Sequence, residues 1–132
     1  MTWEVLVAPE FQFWLAGLPI QGKKAIAVDL EVLRTYGPQL GRPLVDHIKA
    51  SRHSNMKELR TTSGSSVYRT LFVFDPARRA LLLVGGDKSG QNQERFYQAI
   101  IKHADAIYDR HLIQMKKDRK KAQEKAKEIL KP

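Results

Sequence analysis

The eight residues Val67 to Phe74, Val-Tyr-Arg-Thr-Leu-Phe-Val-Phe, constrain this chain more than any others. β-Branched and aromatic residues fill the run, and Asp75-Pro76 ends it with turn chemistry. Ala80-Leu81-Leu82-Leu83-Val84 follows at once, apolar throughout, as expected of a strand buried on both faces. Two strands joined by so short a connection pair antiparallel, since a parallel pair needs a long crossover. Met56–Thr61, set off by the turn residues Ser63-Gly64-Ser65-Ser66, adds a third strand, and Leu44–Ile48 a short fourth. The centre of the chain therefore reads as an antiparallel meander.

Helical spacing brackets the meander. After a short strand over Trp3–Val7, Pro9 stands where a first helical turn tolerates it, with Glu10 at the favourable end of the helix dipole. Phe11, Trp14, Leu15 and Leu18 fall at i, i+3, i+4 and i+7, one buried stripe, before Gly17 and Pro19 close the helix. A second helix is expected from about Gln21 to Tyr36, with Ile26, Leu30 and Leu33 inward and Lys23, Lys24, Glu31 and Arg34 outward, stopping at Gly37-Pro38. Gly85–Gly90 reads as a loop, and a long helix starts near Asn92 with Phe96, Ile100, His103 and Ile107 on its inner stripe. Trp3, Trp14 and His103 are expected in the core. The fold class is α+β: an N-terminal strand and helical hairpin, an antiparallel sheet and a C-terminal helix.

At 132 residues the chain holds one domain, and 42% hydrophobic residues suffice for a core. The lack of cysteine excludes disulfides, thiolate metal sites and a cysteine nucleophile. No apolar run approaches the roughly 18 residues of a membrane span, and Met-Thr-Trp-Glu lacks signal-peptide character, so a soluble, cytoplasmic protein without membrane contact is expected. Twenty-three basic against 14 acidic residues give a charge of +9. From Ile113 to Pro132 eight basic and three acidic residues concentrate +5 of it. Between Lys116 and Glu128 the apolar residues are Ala122 and Ala126, so this stretch reads as an exposed helical extension. Residues 1–112 are thus assigned to the domain and 113–132 to a basic tail. Such a balance suits a polyanion, most often nucleic acid, though it also serves solubility or an acidic partner. The RNA-contact candidates are Lys116, Lys117, Arg119, Lys120 and Lys121, with Tyr68 and Arg95.

Lys57, Glu58, Arg60, Tyr68, Arg69, Lys88, Arg95 and Tyr97 are expected to converge on one side of the meander. Charges inside strands mark a face that is either solvated or working. Arg69 shares its face with Val67, Leu71 and Val73, so it is the polar exception on an apolar face. Gly85–Gly90 lacks the Gly-Lys-Ser/Thr order of a nucleotide phosphate loop; it offers backbone N–H groups to one phosphate or is a plain connection. His47, His53, His103 and His111 form no pair at metal-ligand spacing, so neither metal nor cofactor is expected. No Gly-x-Ser-x-Gly hydrolase turn occurs.

This order of elements, carrying Met56-Lys57-Glu58-Leu59-Arg60, Tyr68-Arg69-Thr70-Leu71-Phe72-Val73-Phe74-Asp75-Pro76 and Leu83-Val84-Gly85-Gly86-Asp87-Lys88-Ser89-Gly90, resembles the RelE/ParE toxin superfamily over about residues 3–112. More narrowly, it resembles the HigB-like, phage-derived branch. The resemblance implies a RelE-like fold and the toxin of a type II toxin–antitoxin pair. It also implies a cognate antitoxin partner, often with a helix-turn-helix domain, and cleavage of mRNA on the ribosome without a metal. Attack by a 2′-hydroxyl needs a base, cations around the phosphorane and a proton donor to the leaving oxygen. By resemblance Arg60, Arg69 and Lys88 supply the cations, Glu58 or Lys57 the base, and Tyr97 or Lys88 the acid or a stacking surface. ParE-like members of the superfamily inhibit DNA gyrase instead and lack nuclease activity. A non-enzymatic RNA-binding protein is the third reading.

Overall fold

Alternation of large apolar side chains on two central strands lets both faces of one sheet carry a helical layer. The computed structural model describes residues 2–87 and 93–132. In chain order they form β1 (Val5–Val7), α1 (Pro9–Ala16), α2 (Ile20–Tyr36), a 3₁₀ turn (Gly37–Gln39), β2 (Val45–His47), β3 (Lys57–Ser63), β4 (Ser66–Phe74), β5 (Ala80–Asp87) and α3 (Gln93–Leu130). The sheet order is β1-β5-β4-β3-β2. Strands β2 to β5 form the expected antiparallel meander, with Leu59 opposite Thr70 and Leu71 opposite Val84. The N-terminal strand joins this sheet at one edge. β1 lies parallel to β5, Val5 opposite Ala80, because the α1–α2 hairpin carries the chain across the sheet before the meander begins.

On one face Phe11, Ile26 and Leu33 of the hairpin pack on Val45, Leu59, Tyr68, Phe72 and Leu82. On the other, Ile101, Ala104, Ile107 and Tyr108 of α3 cover Leu71, Val73, Leu81 and Leu83. Each buried Val, Leu, Ile or Phe among these contributes roughly 1.5–3 kcal/mol. Trp3 and Trp14, expected in the core, are half-buried at its rim. Among the described residues, no helix is long and apolar enough to cross a membrane.

Two local expectations change. Gly85, Gly86 and Asp87 continue β5 and are not loop. A Cβ on Gly85 would lie 2.2 Å from the Trp14 ring, and one on Gly86 2.3 Å from Ile100 Cδ1. The two glycines thus thin consecutive strand positions so that helices on opposite faces can approach. His103 is exposed, and the inner face of α3 is formed by Ile101, Ala104, Asp105, Ile107 and Tyr108. Ile100 and Ile101 are both apolar, so periodicity fits two rotations of the helix, and the small Ala104 against the sheet selects one. The helix α3 is unbroken through position 112, and residues 116–130 are exposed.

Polar ties fix α3. Arg110 forks onto Glu10 of α1 at 2.8 and 2.9 Å. Asp105 accepts from Ser51 Oγ at 2.5 Å, and Asp109 pairs with Arg52 and with His53 Nε2.

A buried carboxylate between two arginines

In the β3–β4 register Arg60 stands directly opposite Arg69. Two like charges facing each other across a ladder repel, and the side chain that resolves this is Glu58, two residues back on the same face of β3. Glu58 is 3% exposed. Oε1 accepts from Arg60 Nη2 at 3.0 Å and Arg60 Nε at 3.3 Å. Arg69 Nη1 reaches both carboxylate oxygens at 3.1 Å. Tyr97 of α3 donates its hydroxyl to Oε2 at 2.7 Å, and Arg69 lies against the Tyr97 ring, 5.5 Å from its centroid. Arg60 Nη2 also reaches Asp46 Oδ2 on β2 at 3.1 Å, where the His47 backbone N–H, aided by Arg42 and Arg60, holds the carboxyl below its ordinary range. Charges therefore alternate along a chain from Asp46 through Arg60 and Glu58 to Arg69, capped by Tyr97.

Burial, and then the Glu58 carboxylate beside it, push the Tyr97 phenol well above its ordinary range, so it stays protonated and donates. Arg69 Nε is buried and has no hydrogen-bond partner among the described residues. Both guanidinium groups nevertheless reach the surface, at 31% side-chain exposure for Arg60 and 16% for Arg69. A carboxylate so saturated with donors is a scaffold for cations, and the cations face outward.

Of the candidate residues, the fold brings together Glu58, Arg60, Arg69 and Tyr97. Lys57 is not with them. It projects from the opposite face of β3, its Nζ 5.5 Å from the centre of the Phe74 ring, because successive strand residues alternate sides. Tyr68 likewise belongs to the hairpin face, where it is buried over Gly22, whose Cβ would lie 2.9 Å from the ring. Arg95 is exposed in the first turn of α3, and Lys116, Lys117, Arg119, Lys120 and Lys121 are exposed further along that helix. Lys88 lies outside the described residues. Asp46 was missed by sequence reasoning, since only the β2–β3 register sets it opposite Glu58.

Among the described residues, no group of three or more His, Asp and Glu side chains is placed to hold a metal ion. A separate groove of about 730 Å³, lined by Phe13, Trp14, Leu18, Val84, Gly85 and His103 among others, is mainly apolar.

Comparison with known proteins supplies the context. The family model described as Phage derived protein Gp49-like (DUF891) matches residues 13–109. Two Mycobacterium tuberculosis proteins, HigB2 and HigB3, bear the word toxin in their names and are each 44% identical to this chain, over 115 and 101 residues. The HigB2 match covers 86% of this chain and 57% of that protein, so the chain spans little more than half its length. The HigB3 match covers 76% and 86%. A chain of the RelE–RelB complex from Pyrococcus horikoshii superposes with a TM-score of 0.49 at 17% identity, over 66% of this chain and 96% of that one.

Proposed function

This chain belongs to the phage-derived Gp49-like family, and from that premise we propose that it is the toxin of a toxin–antitoxin pair, a metal-independent endoribonuclease that cuts mRNA on the ribosome. The kinship with two proteins named as toxins supports the toxin role. The observation that carries the chemistry is the pair of cross-strand arginines held on one buried carboxylate.

Cleavage by the neighbouring 2′-hydroxyl closes a cyclic phosphate and releases a 5′-hydroxyl. Its crowded, doubly charged phosphorane is stabilised by fixed cations that need no reorganisation. Arg60 and Arg69 suit that task, as guanidinium forks match phosphate oxygens. Arg95 adds exposed charge at the start of α3. In this reading Glu58 positions the two arginines, with its lone pairs engaged, and Tyr97 holds Glu58 and stacks on Arg69. A cognate antitoxin that masks this cationic face completes the proposal.

The test is brief expression in a bacterium without antitoxin, with mRNA 5′ ends mapped beside Arg69→Ala and Arg69→Lys chains whose folding is checked by circular dichroism. New ends within translated codons are expected, reduced at least about a hundredfold in Arg69→Ala and strongly in Arg69→Lys, which keeps the charge but loses the fork. Growth arrest without new ends moves the target to gyrase or another machine. No arrest overturns the toxin reading.

A further inference from the structure

The exposed half of α3 has an order that composition hides. At 3.6 residues per turn, Lys116, Lys120 and Lys127 fall within about 40° of one another around the axis and span about 17 Å along it. Arg119 lies about 60° to one side of this ridge, Lys117 about as far to the other side with Lys121 further round, and all six side chains are exposed. Of the acidic residues, Glu124 borders the ridge beside Lys120 and Lys127, while Glu128 and Asp118 lie further round the helix. The helix is held straight into this region because its first half is already packed through Ile101, Ala104, Ile107 and Tyr108, so the cost of nucleating a helix is met elsewhere. Gln114 donates to Asp118 at 2.9 Å, which adds local support.

We propose that this ridge docks along the phosphate backbone of double-helical RNA, without reading its sequence. A protein partner would call for a large apolar or aromatic anchor; between Lys116 and Glu128 the apolar side chains are only Ala122 and Ala126, and the exposed Ile113, Ile129 and Leu130 lie at the two ends of this stretch on different sides of the helix, forming no continuous apolar face. Single-stranded nucleic acid would call for aromatic platforms on which bases stack, and no Phe, Tyr or Trp follows Tyr108. What remains is a line of mobile point charges, which suits the closely spaced phosphates of a duplex strand. The choice of RNA over DNA rests on the ribosomal nuclease reading above. The ridge lies beyond residues 13–109, the segment that the family model matches.

The experiment measures binding of the full chain to a short RNA duplex, free of ribosomes, by fluorescence anisotropy across a salt series. Lys116→Gln/Lys120→Gln/Lys127→Gln is compared with Lys24→Gln/Lys49→Gln/Lys102→Gln, three exposed lysines elsewhere, so that net charge is equal. The slope of log K against log salt is expected to fall by about two in the ridge variant and by less than one in the control. Equal falls in both variants overturn the ridge as the docking surface, as does a wild-type chain that does not bind the duplex. DNA duplex of the same sequence bound as tightly overturns the choice of RNA. Loss of antitoxin binding in the ridge variant, with RNA binding unchanged, assigns the ridge to an acidic protein. A chain that binds through the ridge yet cuts no mRNA refutes the nuclease reading and leaves this one standing; cleavage with an unaltered ridge slope does the reverse.

Discussion

Arg60 and Arg69 illustrate how one buried residue decides whether a charged strand face is tolerable. Without Glu58 the two guanidinium groups would face each other across the ladder with Asp46 alone to offset them. Removing one member of a buried ion pair costs about 3–5 kcal/mol because its partners are left uncompensated. Glu58→Ala is therefore expected to lower Tm by roughly 10–15 °C. Glu58→Gln keeps the shape and removes the charge, and should cost about half as much. Thermal melts of the two variants check this. A Tm within a degree or two of wild type would mean that the arginines are already neutralised by solvent.

At the scale of elements, packing of helices on the sheet depends on where the sheet is thinnest. Gly85 sits under the Trp14 ring and Gly86 under Ile100 and Phe96, so a single side chain at either place would lift α1 or α3. Gly85→Ala is expected to cost about 1–3 kcal/mol, since the added carbon meets a rigid ring at 2.2 Å. Gly41→Ala is the matched control: nothing lies within 4 Å of its added Cβ, and it should change stability by less than about 0.5 kcal/mol. Denaturant unfolding of the two variants separates crowding from the general effect of replacing glycine.

The whole molecule is latched at Asp75, where the β4–β5 turn meets α3. This buried carboxylate accepts from the Ala77 and Arg79 backbone N–H groups at 3.0 Å, from Arg79 Nη2 at 2.8 Å and from His111 Nε2 at 2.9 Å. Burial pushes its pKa up, but the hydrogen bonds from Arg79 and His111 outweigh that and hold it below the ordinary value of 3.8. A carboxyl depressed on folding contributes stability that is present above its unfolded pKa and is lost as pH falls through the folded one. Asp75→Asn should thus be less stable than wild type by about 2–4 kcal/mol near pH 7, and the gap should narrow as pH falls below about 4. Denaturant melts across that range test it. A gap independent of pH would show that the latch works by shape and not by charge.

Much of this architecture was legible from periodicity. The β4 and β5 strands, the stripe of Phe11, Trp14, Leu15 and Leu18, and the inward set of α2 all follow from side-chain repeats of two and of 3.6, because burying one face is a local demand on sequence. The placement of Arg69 among Val67, Leu71 and Val73 was legible for the same reason. Periodicity could not choose between two rotations of α3, nor see that Gly85 and Gly86 thin a strand, because both depend on what approaches from outside the segment. The same period of two sets Lys57 apart from Glu58 and Tyr68 from Arg69, since neighbours on a strand face opposite sides, so the expected convergence of all four ran against alternation. Sequence by itself determined which residues are apolar at which spacing, and hence the elements and the positive charge. Tertiary structure decided which charges meet, since the β2–β3–β4 register joins Asp46, Arg60, Glu58 and Arg69 across gaps that no local interaction spans.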